Sequence, residues 1–193
     1  MQYKIALLLH IVSVLVLFIG IAGIVVGTYG MRRSTSMKQL IEWSWLATTT
    51  DKIMPFAAAG VIFSGVYMAI TSWGWQRAWI DVALVSFVLM VALGPLLIGP
   101  RLLHIKKDMK SISALTEAVP SHLRQQTSDP LLWMVLMIFT FMAFGVVFLM
   151  ILKPSLLGSL ITIGTSLVLG TLCRLPLQQV RRSLDPAPST TAD

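Results

Sequence analysis

Five stretches of this chain stay apolar long enough to cross a bilayer, and short clusters of charge, proline and tryptophan separate them. They run from Ile5 to Thr28, Ile53 to Trp73, Trp79 to Ile98, Leu131 to Leu152 and Leu156 to Leu172. A helix rises about 1.5 Å per residue and hydrocarbon is about 30 Å thick, so roughly 20 apolar residues make a span. The pattern predicts an all-α polytopic transmembrane bundle over residues 1–183, with a four-helix core and a shorter fifth span. Residues 184–193, rich in proline, serine and threonine, read as a disordered tail.

Punctuation between the stretches refines the elements. Gly74 to Ala78 is too short for anything but a tight connection between antiparallel neighbours, and Lys153-Pro154 makes a similar turn. Asp129-Pro130 reads as an N-cap and first-turn proline opening the fourth helix, and Thr50 or Asp51 as the opening of the second. Gly94, Pro95, Gly99 and Pro100 predict a kink at the far end of the third. Beyond it Leu102, Leu103, Ile105, Met109, Ile112 and Leu115, set among Lys106, Lys107 and Lys110, read as an amphipathic extension along the lipid surface, its cations toward anionic headgroups.

Composition agrees: 56% hydrophobic and 12% charged residues do not describe a soluble domain. The net charge of +7 is sorted by loop and not gathered into a nucleic-acid face. With the N-terminus outside, Arg32, Arg33, Lys38, Lys52, Arg101, Lys106, Lys107, Lys110, Arg124, Arg174, Arg181 and Arg182 fall inside, against Lys4, Arg77 and Lys153 outside. That positive-inside bias predicts an N-out, C-in protein with an odd number of spans. Arg32, Arg33 and Lys38 follow the first stretch directly, so it reads as a retained helix and not a cleaved signal. Trp73, Trp75 and Trp79 at one level and Trp43, Trp45 and Trp133 at the other read as aromatic belts. Cys173 is the single cysteine, so no intrachain disulfide forms and no CxxC site exists.

Chemistry is scarce. No phosphate-binding glycine loop with lysine, HExxH, GxSxG or paired carboxylates occurs. The exception is His10, the one titratable side chain in its span, and such a group in hydrocarbon is a functional-site hypothesis by default. Ala6, Ser13, Gly20 and Gly27 recur every seventh residue, and His10 projects beside that small-residue stripe, into the bundle. Gly60 with Ser64, and Gly158, Thr162, Ser166 and Gly170, make packing stripes on the second and fifth helices.

Depth selects the candidate partners of His10, which lies roughly 9 Å below Lys4. Tyr67, Met68, Asp81, Ser86, Met150, Ser159 and Thr162 share its level. Met150 or Met68 offers a thioether as a second axial haem ligand, Tyr67 a hydroxyl, and Asp81 a carboxylate that could orient the imidazole or stay hydrated as a helix cap. His104 and His122 belong to the opposite surface and cannot share a haem with His10 in one chain.

The Leu9-His10-Ile11 opening, the basic turn at Arg32 and Arg33, and the Leu149-Met150-Ile151-Leu152-Lys153-Pro154 close of the fourth helix resemble a bacterial family of integral membrane proteins of unknown function. That family is grouped with the CopD-like copper-resistance proteins and the HemJ-like protoporphyrinogen oxidases, and the similarity runs over about residues 3–154. It implies haem b held through His10. The lysine that HemJ-like enzymes carry in a later helix is missing from the third span here, which sets protoporphyrinogen oxidation aside. Three functional readings stand: a haem-binding, redox-associated protein; a small permease or ion-translocating component in which His10 and Asp81 exchange protons; and an accessory or structural membrane protein, in which His10 only hydrogen-bonds a neighbour. A homodimer or a membrane-complex partner is compatible with each.

Overall fold

The computed structural model describes residues 1–74, 77–112 and 118–173. Within them the chain is helical: α1 (Gln2–Arg33), α2 (Met37–Met68, extended by a π-helical turn over Ala69–Trp73), α3 (Ala78–Leu97), α4 (Gly99–Ile112), α5 (Ser121–Thr127), α6 (Pro130–Leu152) and α7 (Leu156–Leu172). Four helical runs are long and apolar enough to cross a membrane: Gln2–Arg33, Met37–Trp73, Ala78–Met109 and Ser121–Leu152. Large apolar side chains point outward from them. Phe56 is 80% exposed and Phe63 75%, surfaces that belong against lipid and not water. The fold is thus that of a multi-pass membrane protein. Trp75, Leu115, Arg174, Arg181, Arg182 and the tail at 184–193 lie outside the described residues.

The second helix begins earlier than Thr50 or Asp51. Ser36 caps α2, accepting a hydrogen bond from Gln39 N (3.4 Å), while Gln39 Oε1 reaches back to Thr35 N (3.2 Å). That reciprocal cap starts a helix that runs straight through the expected loop and through Pro55. Thr50 turns its hydroxyl back onto the Leu46 carbonyl (2.8 Å) and caps nothing. Asp129 does cap α6, accepting from Leu131 N (2.9 Å), and its other oxygen pairs with Arg101 Nε at 3.3 Å.

The third run breaks between Leu97 and Gly99, where glycine and proline cluster. Past the break, α4 departs from its expected place on the lipid surface. Leu102, Ile105 and Met109 are buried with Met31, Met37 and Leu40 from the α1–α2 turn, and with Leu123 and Leu132. The apolar stripe of α4 had a protein face to cover, formed by a hairpin whose turn is only three residues long.

Two groups of helices result. The first is the α1–α2 hairpin, in intimate contact along its length; the second is α3, α6 and α7. Despite their short connection, α2 and α3 approach closely at few points, and the nearest backbones to α3 are those of α6 and α7. Leu17, Ile21, Ala57, Val61, Phe87 and Ala143 fill the seam between the groups. α7 is too short to match the four long runs, yet it packs on α6 through its small-residue stripe: a methyl on Gly170 would stand 2.9 Å from Ile138 N.

Glycines make the hairpin close. A Cβ on Gly27 would lie 2.9 Å from Ala47 Cβ and 2.9 Å from the Trp43 carbonyl oxygen, with backbone that cannot retreat. Gly27→Ala is therefore expected to cost about 1–3 kcal/mol, read as an earlier thermal loss of helical circular dichroism in detergent. Gly164→Ala, with nothing within 4 Å of its Cβ, leaves the transition where it is.

Candidate functional site

His10 lies on the face of α1 that carries Ala6, Ser13, Gly20 and Gly27, and all five are buried. Across the interface, α2 presents Gly60, Ser64 and Gly65. His10 Nδ1 is 3.0 Å from Ser64 Oγ. The Ser64 hydroxyl also makes a short hydrogen bond to the Gly60 carbonyl and a longer one, 3.4 Å, to the Val61 carbonyl. Gly65 leaves room for the ring: a Cβ there would be 3.3 Å from His10 Cε1.

The Ser64 contact favours one tautomer. A hydroxyl has one proton, and the Gly60 carbonyl takes it. Nδ1 must then carry the hydrogen it shares with Ser64 Oγ, because two facing lone pairs would repel. The Val61 backbone of α2 makes a further hydrogen bond to the imidazole. Nδ1–H···O contacts of this kind are what orient metal-ligating histidines, so the chemistry of the donor suits a ligand as well as a lock.

The imidazole forms part of the wall of a cavity at the seam between the helix groups. Val61, Gly65 and Trp73 line it from α2 and its π turn, Trp79, Ala83 and Phe87 from α3, and Met150 from α6. Its volume is about 50 Å³. That holds one or two waters, where a small-molecule site takes roughly 300 Å³ or more. A porphyrin does not fit between the helices as they are packed.

Of the residues expected around His10, Met150 shares its cavity; the others do not. Met68 is fully buried one turn away and does not line the cavity. Tyr67 is exposed and donates its hydroxyl to Gln2 Oε1 at 3.3 Å. Asp81 is exposed in the first turn of α3, where a carboxylate favours the helix dipole. Ser159 and Thr162 bond carbonyls of their own helix, Ser155 at 3.0 Å and Gly158 at 2.8 Å. Ser64 was legible only as half of a packing stripe; the signal that would have found it is that this stripe must face the one beside His10.

At the opposite end of the bundle His104 and His122 line one polar cleft with Arg101, Gln125, Gln126 and Asp129. Sequence alone separates them from His10 but does not bring them together. Among the described residues no group of three or more histidine, cysteine or acidic side chains is arranged to hold a metal ion. No family model, curated protein or solved structure matches the chain.

The tautomer argument predicts an asymmetry. Ser64→Ala removes the oxygen that bonds His10 Nδ1 across the interface, whereas His10→Leu leaves Ser64 satisfied by Gly60 and costs less. A double-mutant cycle by thermal unfolding should give a coupling near 0.6 kcal/mol, the average for interhelical bonds in membranes. Equal single effects and no coupling would remove the bond from the account.

Proposed function

We propose that this is an accessory or structural protein of the bacterial cytoplasmic membrane, in which His10 locks the first two helices together. The observation that carries this reading is the 3.0 Å contact between His10 Nδ1 and Ser64 Oγ across the α1–α2 interface. A ring held on one side by a neighbouring hydroxyl and on the other by a water-sized space is suited to fixing a helix pair. The lipid bilayer is its medium, with anionic headgroups meeting the basic inner end.

The same proposal sets the topology as N-out and C-in, with α7 as a fifth crossing. Leu156–Leu172 rises about 25 Å, within reach of a bilayer that thins locally. Cys173 then reports the far end of that span. An impermeant maleimide should label it from the cytoplasmic side of inverted vesicles and leave intact cells unlabelled. Labelling from outside would restore a four-span protein.

Haem b through His10 is the second reading, supported by a buried imidazole and a Met150 thioether on the wall of the same cavity. It requires the α1–α2 hairpin and the α3–α6–α7 group to part. An absorption spectrum of detergent-purified protein separates the two: the accessory reading expects no Soret band. A band lost in His10→Ala and kept in His104→Ala would replace it with the haem reading.

A further inference from the structure

A second polar site lies at the end of the bundle where α1 begins and where Trp73 and Trp79 sit. It is a cleft of about 420 Å³, whose walls include Ser72, Trp73, Arg77, Trp79, Lys153 and Ser155. Four helix ends meet around it: the π turn closing α2, the start of α3, the end of α6 and the start of α7. Two of its side chains are basic, and among the described residues neither Arg77 nor Lys153 pairs with a carboxylate. No acidic side chain lines it.

Lys153 is held there at a cost. It ends α6 with φ 48° and ψ 52°, the left-handed conformation that glycine adopts freely and that costs other residues roughly 1–2 kcal/mol. Its side chain lies against two rings: Nζ stands 5.6 Å from the centroid of Trp73 and 5.9 Å from that of Trp79, and the two rings pack 5.5 Å apart. An observed outlier of this kind points to a use for the side chain.

We infer that this cleft binds a phosphate group, between Lys153 and Arg77, with the Ser72 and Ser155 hydroxyls as further donors. Two cations lining one cleft, neither in an ion pair among the described residues, leave a positive potential that the negative charge of a phosphate oxyanion relieves. At the start of α3 the Ala78 and Trp79 N–H groups have no side-chain cap, while Ile80 and Asp81 bond the Arg77 carbonyl. The phosphate can belong to an anionic lipid headgroup in the facing leaflet, or be free. The cleft shares Trp73 and Trp79 with the His10 cavity, so an occupant rests on the rings that close that cavity.

The test is tryptophan emission from the full chain in detergent, titrated separately with inorganic phosphate and with dihexanoyl phosphatidylglycerol, with dihexanoyl phosphatidylcholine as the zwitterionic comparison. A saturable change with phosphatidylglycerol that exceeds the phosphatidylcholine response supports the site. An additional response to phosphate alone assigns it to the free anion as well. Lys153→Gly keeps the left-handed turn and relieves its strain, so the fold is retained; its affinity and that of Arg77→Gln should each fall about tenfold. Lys107→Gln, exposed at the other end, should bind as the unsubstituted chain does. Equal affinity in Lys153→Gly and Arg77→Gln, or no saturable response to either phosphate probe, would overturn the inference.

Discussion

The close approach of α1 and α2 is the constraint on which the rest of this molecule depends. Hydrocarbon surrounds the helices and is as apolar as their side chains, so burial alone does not drive them together, and shape must. Gly20, Gly23, Gly27 and Gly30 on α1 each face α2 at distances where a methyl would collide with Met54, Thr50, Ala47 or Trp43. The meshing extends along the hairpin and fixes rotation and register together. Once register is fixed, His10 has no choice of neighbour: the groups opposite it are Ser64 and Gly65.

Several hydroxyls in these helices look after themselves. Thr48, Thr50, Thr140, Thr162 and Ser166 return their hydroxyls to carbonyls four residues back on the same helix. An imidazole is too large and too rigid to do this, and its ring nitrogens must look across an interface. Ser64 serves both habits at once. It gives its proton to Gly60 in the ordinary intrahelical way, and the oxygen keeps a lone pair for His10. The interhelical bond therefore removes nothing from α2, and this lets a single histidine be accommodated without a charged partner.

Much of this architecture was legible in the residues. The apolar runs mark the spans, Asp129-Pro130 marks the start of α6, and the seven-residue stripe turns His10 inward. What was not legible has a common cause. Periodicity reports that a face is apolar but not what covers it, so the stripe of α4 could be assigned to lipid when it covers Met31 and Met37. The start of α2 was hidden because Trp43, Ser44 and Thr48 to Thr50 resemble loop composition, while the Ser36–Gln39 cap that starts the helix is two residues in a polar stretch. Depth placed Asp81, Tyr67 and Met68 beside His10, but depth is one coordinate, and rotation about each helix axis sends those three elsewhere.

The candidate site lies at a gap in the packing. α1 with α2, and α3 with α6 and α7, each form a closely packed unit, and the cavity of His10 and Met150 opens at the seam between them. Phe87 and Ala143 hold the middle of that seam, and Trp73 with Trp79 closes its end under the Lys153 ammonium. Widening the cavity beyond a water or two means separating the units, and that separation must begin at one of these two closures. The aromatic pair is the cheaper of the two to open, because it sits at the helix ends, on a π-helical turn ended by Gly74 at φ 76°, where backbone rearranges without breaking a span. Lys153, left-handed at its own α-carbon, lies over both rings at that closure.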